Sequence, residues 1–196
     1  MDGKDLYDLF MSGSELPEIA EVPQEDGRML GDQELGEVVT LGNRQYIVLE
    51  HTNDGYTAVI TKEFAHCMAF GENADYSRSK IRQWLNREFY NELVEAVGKD
   101  NILEHTVDLT ADDGTGEVSV ADFVSILTTQ RYRKYRRFLP GYGQWWWTAT
   151  RLNADDTEYA WDVCSVSSRG VLFWCRSDDD LGVRPFCFLR SSVFVD

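Results

Sequence analysis

Cysteine and histidine are the first side chains to ask for chemistry. Cys67, Cys164, Cys175 and Cys187, with His51, His66 and His105, are the full set in this 196-residue chain. No two cysteines form a CxxC pair and none stands at zinc-ligand spacing from a histidine, so no metal cofactor is expected. His51 and His66 lie beside strand-like stretches without a partnered nucleophile, and they read as surface or satisfied histidines. No Ser/His/Asp order, phosphate loop or three-histidine iron site is present. Asp108 to Glu117 clusters oxygen donors around Gly114 and Gly116. Aligning Gly114 with the invariant glycine of an EF-hand, however, puts Leu109 at the first ligand position, so the stretch reads as a solvated turn. Arg131 to Arg137 alternates basic residues with tyrosines, as a nucleic-acid surface does. The formal charge of −15 opposes phosphate, and the run reads as a cationic helix terminus paired with carboxylates. Neither a nucleic-acid partner nor an organic cofactor is expected.

Length and charge set the frame for these groups. A chain of this size holds one domain with a sizeable core plus an extension. There is no apolar run of about 18 residues, so no membrane span is expected. The start lacks a basic region followed by an apolar stretch, which gives an expectation of cytoplasmic synthesis without Sec export. Residues 1–32 are rich in acidic residues and glycine, contain Pro17 and Pro23, and read as an acidic N-terminal arm. Within it, Asp5 to Phe10 has the anchors of a short amphipathic segment that docks on a partner.

The domain proper is read as residues 33–196. Val38 to Leu41 and Gln45 to Leu49 flank Gly42-Asn43, and Asp54-Gly55 leads into Tyr56 to Ile60; this predicts a three-stranded meander. Ser77 to Val97 is the clearest helix. Ile81, Trp84, Leu85, Leu93, Val94 and Val97 make its apolar stripe, Ser77 or Ser79 can cap its start and Gly98 can end it. A second helix is predicted from about Val120 to Tyr135, where Val120, Phe123, Val124 and Leu127 recur at helical spacing. Pro140-Gly141 then breaks the chain.

Five of the six tryptophans follow that break. Tyr159 to Cys175 reads as two strands around Ser168-Arg169-Gly170. With Arg169-Gly170 as a two-residue loop, Ser168 faces Val171, Val166 faces Phe173 and Cys164 faces Cys175. One face then carries Asp162, Cys164, Val166, Val171, Phe173 and Cys175; the other carries Trp161, Val163, Ser165, Leu172, Trp174 and Arg176. Both are partly apolar; only one can pack on the core, and the other either meets a second layer or exposes apolar side chains as a binding surface does. A Cys164–Cys175 disulfide is disfavoured in a reducing compartment, and free buried thiols are expected.

Three stretches taken in order carry a resemblance: Ser79 to Tyr90, Trp146-Trp-Thr-Ala-Thr150 and Gly182-Val-Arg-Pro-Phe186. From about Glu37 to the C-terminus the chain resembles a bacterial and phage family of C-type-lectin-like domains. Variable proteins of diversity-generating retroelements belong to that family, and formylglycine-generating enzymes share its fold. The resemblance implies an α+β domain, with two helices packed on a small, irregular, mostly antiparallel sheet whose C-terminal hairpin displays a ligand surface. It makes Arg184 a structural anchor. Where family members often carry Arg after the paired tryptophans this chain has Ala149, with Arg151 two positions on.

The function implied is non-enzymatic recognition of a protein or cell-surface ligand, by a product found on a virion or a cell surface. The alternatives are a structural component of a phage tail or surface complex, and a cysteine-dependent oxidase. Retroelement diversification acts at adenines, and an AAY codon so altered cannot encode Lys, Glu, Gln, Met or Trp. Trp161 and Trp174 would then belong to a fixed core face and the opposite hairpin face would be the diversified one. The expected contacts are Arg151, Asn153, Asp155, Asp156, Tyr159, Asp162, Cys164, Val166, Ser168, Arg169, Val171, Phe173, Arg176, Asp178, Asp179 and Asp180. Tyr and Phe would anchor, Arg would reach carboxylates or rings, and the polar groups would adapt.

Overall fold

The computed structural model describes residues 27–139, 141 and 143–196. The Asp5 to Phe10 segment lies outside them. The opening strands form as their turn residues dictate: β2 (Val38–Leu41) pairs with β3 (Arg44–His51), which pairs with β4 (Tyr56–Thr61). Leu41 faces Arg44 across Gly42-Asn43, and Gly42 has φ +60°, the conformation the first central residue of a type II′ loop needs. Residues 28–32, grouped with the arm on composition, belong to the domain. There β1 (Arg28–Met29) pairs with β14 (Phe194–Val195), and Leu30 is fully buried.

The predicted helix runs from Lys80 to Val97 in three pieces: α1 (Lys80–Trp84), a π-helical turn (Leu85–Phe89) and α2 (Tyr90–Val97). Ser79 caps it, its hydroxyl accepting the Arg82 amide at 3.0 Å, and Gly98 ends it at φ +81°. Ile81, Leu85, Phe89, Leu93 and Val97 are its buried residues. In an α-helix every fourth residue advances about 400°, so such a stripe drifts around the axis by roughly 40° per step. The wider π turn takes up that drift and returns Phe89 to the core, while Trp84 and Val94 sit half-buried at its margin.

Between Ser119 and Tyr135 the single predicted helix is replaced by three pieces. β8 (Ser119–Asp122) pairs with β7 (His105–Asp108), an extended segment follows, and only α3 (Thr129–Tyr135) is helical. Tertiary hydrogen bonds outweigh the local spacing. Asn86 on the helical run brackets the Val124 backbone at 2.9 and 3.3 Å, Ser125 exchanges backbone bonds with Phe186, and Leu127 O accepts the Ala149 amide. Thr128 then caps α3 through the Arg131 amide.

Two five-stranded sheets organise the rest. With β5 (His66–Ala69), β6 (Ile102–Leu103), β9 (Trp146–Arg151), β10 (Asp162–Val166), β11 (Leu172–Arg176), β12 (Asp180–Val183) and β13 (Phe186–Arg190) the orders are β2-β3-β4-β13-β6 and β11-β10-β9-β12-β5. All pairings are antiparallel except β12 with β9, which meet at Gly182 and Trp146. The domain is therefore α+β. The chain crosses from the second sheet to the first at Arg184-Pro185. Arg184 is fully buried, donates to Thr61 O from Nε at 3.0 Å and Nη2 at 2.8 Å, and lies 5.2 Å over the Trp146 ring. The expectation of an anchor is met by these contacts. No helix among the described residues is long and apolar enough to cross a membrane.

Two stability predictions follow from this packing. A Cβ on Gly182 would lie 2.5 Å from the Phe64 ring, so Gly182→Ala should cost about 1–3 kcal/mol in denaturant unfolding. His105 is buried, with Nε2 at 2.9 Å from Ser125 Oγ; desolvation and the Arg131 charge lower its pKa to about 4. The unfolded histidine takes up a proton from about pH 6.5 downward and the folded one only near pH 4, so this group costs stability as pH falls between those values. Relative to His105→Gln, the wild type should lose about 2–3 kcal/mol between pH 7 and pH 4.5 in denaturant titrations.

Candidate binding surface

The β10–β11 hairpin forms, with a register one residue away from expectation. Cys164 faces Trp174, Ser165 faces Phe173, Val166 faces Leu172 and Asp162 faces Arg176. The loop has three residues, not two. Ser167 N donates to Val171 O at 2.8 Å, Gly170 N donates to Ser167 O at 2.9 Å, and Gly170 takes φ +73°, a conformation that suits glycine. The Tyr132 hydroxyl of α3 fixes that loop by donating to Gly170 O at 2.7 Å.

A one-residue shift exchanges the faces of β11 relative to β10. Position in the sheet then decides exposure. β10 lies between β9 and β11 and is buried on both faces, so Asp162, Cys164 and Val166 are only 9%, 4% and 1% exposed and cannot be ligand contacts. Trp161 and Trp174, expected in the core, are 41% and 47% exposed. β11 is the sheet's edge and pairs only with β10. Phe173, with Val171 just before the strand, is more than half exposed. The Phe173 and Trp174 rings stack at 6.0 Å and 21°, Trp145 meets Phe173 edge-on at 5.7 Å, and the Arg176 guanidinium lies 5.6 Å over the Trp161 ring. Nothing in residue order singles out Trp161 and Trp174 as surface groups; Trp174 is exposed because β11 is the edge, and Trp145 beside them is half-buried.

The other expected contacts divide in two. Ser168 and Arg169 sit at the hairpin tip. Asp178 pairs with Arg176 at 3.1 Å, Asp179 accepts the Arg176 amide, and Asp180 is exposed at the start of β12. Tyr159 is exposed in the loop between β9 and β10. Arg151, Asn153, Asp155 and Asp156 line a cleft of about 240 Å³ with Asn73, Ala74, Asp75, Thr157 and Ala160. Two turns build it. Asn153 Oδ1 accepts the amides of Asp155 and Asp156 at 2.7 Å, and Asn73 Oδ1 accepts the Asp75 amide at 2.9 Å. Ala74 N donates to Ala160 O at 2.9 Å and closes one against the other. A shallower groove of about 790 Å³ shares Asn73 and Ala160 with the cleft and continues past Trp161, Lys80, Glu72 and Asp178.

The remaining reactive groups are occupied elsewhere. The cysteines are free thiols. Burial pushes Cys164 and Cys187 up to about 12 and raises Cys175, whose sulfur accepts from Ser165 Oγ at 3.2 Å. Asp108 and Asp113 each accept from the amide and hydroxyl of the threonine two residues on. No three His, Cys, Asp or Glu side chains converge as a metal site among the described residues. In the basic run, Arg131 stacks on Phe186 and Phe188, Arg133 pairs with Asp112 at 3.0 Å and Lys134 pairs with Glu50 at 2.7 Å.

Residues 54–125 match a family described as a domain of unknown function, DUF6273. That similarity spans β4 to the segment after β8, including the helical run, and stops short of the aromatic hairpin. No curated protein and no solved structure matches the chain.

Thiol accessibility tests the geometry. A maleimide at neutral pH should label Cys67, which is exposed, ahead of half-buried Cys175, and should reach Cys164 and Cys187 only on unfolding. Rapid labelling of Cys164 in the native protein, read by peptide mass spectrometry, would contradict the hairpin register.

Proposed function

We propose that this chain is a non-enzymatic binding protein with a C-type-lectin-like fold, which recognises a protein partner through the free edge of β11 and the loops beside it. The observation that carries the reading is the concentration of exposed apolar groups. Of ten exposed large hydrophobic residues among those described, five are Tyr159, Trp161, Val171, Phe173 and Trp174. Aromatic side chains grouped on an unpaired strand edge suit strand addition, in which backbone hydrogen bonds give affinity and alternate side chains give selectivity. Asp155, Asp156, Glu158, Asp178, Asp179 and Asp180 are exposed around this region, against Arg169 and Arg176. The segment that fits is extended and apolar, with basic flanks.

The thiols support recognition rather than oxidase chemistry. An oxidase of the resembled type needs a reactive cysteine pair, whereas Cys164 and Cys175 do not face one another and burial disfavours both thiolates. Display on a phage tail or surface complex is compatible with the same edge. If a retroelement diversifies the surface, its targets include the exposed encodable positions Tyr159, Arg169, Val171, Phe173 and Arg176, with half-buried Ser168, and not Cys164 or Val166.

Panning a random peptide library against the full chain, followed by titration of each selected peptide against wild type, the single alanine variants and Phe173→Ala/Trp174→Ala, tests the binding edge. Selected peptides should be extended, apolar and basic, and each alanine substitution should weaken them by about 2 kcal/mol while changing unfolding stability by less than about 1 kcal/mol. Peptides that bind wild type and double variant equally would overturn the assignment. Sequencing clonal gene copies and flanking DNA tests diversification separately: adenine-directed changes at the exposed positions support it, and an invariant segment without a template repeat refutes it.

A further inference from the structure

The cleft beside the hairpin sets an arginine among its carboxylates, and strand binding gives that arginine no role. Among its lining residues is Arg151, half-buried at the end of β9. Its carbonyl accepts the Asp112 amide at 3.0 Å, and a Cβ on Gly116 would lie 2.7 Å from its Nη2, so the 112–116 loop closes over the guanidinium from outside. Asp113 exerts a through-space attraction on it. No hydrogen bond or ion pair within 4 Å engages that guanidinium among the described residues.

The carboxylates of the cleft are not equivalent. Asp75 accepts from the amide and hydroxyl of Ser77 at 2.9 and 2.6 Å, and Asp156 accepts the Glu158 amide at 2.8 Å. The side chain of Asp155 has no such bond among the described residues and is exposed. A forked cation and an uncommitted carboxylate therefore line one space of about 240 Å³, smaller than the roughly 300 Å³ at which pockets for drug-sized ligands begin. Lone anions are repelled by Asp75, Asp155 and Asp156, and lone cations by Arg151. A dipolar ligand satisfies both, with a carboxylate forked on the guanidinium and an ammonium on Asp155. A peptide terminus carries only one of the two charges and satisfies only half of this lining. Beyond Asn73 and Ala160 the groove leads to Trp161, which gives an apolar side chain somewhere to lie.

We propose that this cleft binds a free α-amino acid with an apolar side chain, its carboxylate on Arg151, its ammonium on Asp155 and its side chain directed toward Trp161. The inference goes beyond the strand-edge reading; the two share Asp155 and Trp161, but neither depends on the other. Titration of the ¹⁵N-labelled full chain with L-phenylalanine tests it, with the side-chain amides of Asn73 and Asn153 as reporters. The expected result is a saturable shift of both. Phenylalaninamide and N-acetylphenylalanine should each bind at least about ten-fold more weakly, and glycine more weakly than phenylalanine.

Arg151→Gln should lose binding and Arg151→Lys keep part of it. Exposed Asp155→Asn should weaken L-phenylalanine without affecting N-acetylphenylalanine, a pattern that misfolding would not produce. Phe173→Ala should leave the titration unchanged, which separates this site from the strand edge. The absence of a saturable shift in the wild type, equal binding of the capped analogues, or undiminished binding by Arg151→Gln would each overturn the proposal.

Discussion

One buried guanidinium holds the two sheets in register. Arg184 stands where the chain leaves β12 for β13, with Thr61 O at the end of β4 on one side and the Trp146 ring of β9 on the other. A cation without water is tolerable only where fixed dipoles and π density replace its hydration. Those partners come from both sheets, so neither sheet can slide without stripping the charge of them. Close contact of Gly182 with the Phe64 ring brings the second sheet against the same crossing. Everything that presents the hairpin depends on β9 being fixed there, because β10 and β11 are added to it in turn.

Local signals were the legible part of the fold. Gly42-Asn43 and Asp54-Gly55 specify the meander by backbone conformation alone, and Ser79 and Gly98 bound the helix through groups within a turn of its ends. The stretch from Val120 to Leu127 reads as a helix because its apolar spacing satisfies one, while the bonds that decide its extended conformation come from Asn86, Phe186 and Ala149, none of them nearby in sequence. Hydrophobic periodicity carries no information about such partners.

The binding surface was legible as a place and not as a set of side chains. Ser168-Arg169-Gly170 marks a turn, yet whether two or three residues form the loop changes no composition, and that single residue decides which side chains of β11 share a face with which of β10. Being an edge strand is likewise a property of the assembled sheet. The cleft lay further from sight, since Asn73 to Asp75 and Arg151 to Thr157 are distant in sequence and meet only in the folded chain, where Ala74 bonds to Ala160. Arg151, Asn153, Asp155 and Asp156 were in the expected set; the opposing wall was not.

The tether from Tyr132 to Gly170 has a consequence for how this surface can change over generations. Hairpin alignment is held by a hydroxyl on α3, by the glycine conformation and by the buried residues of β10, and the outward side chains of β11 take no part in it. The edge is thus free to drift in chemistry at little cost to folding, while substitutions one strand inward are purged. A lineage can acquire a new partner here through a few exposed replacements, without first acquiring spare stability.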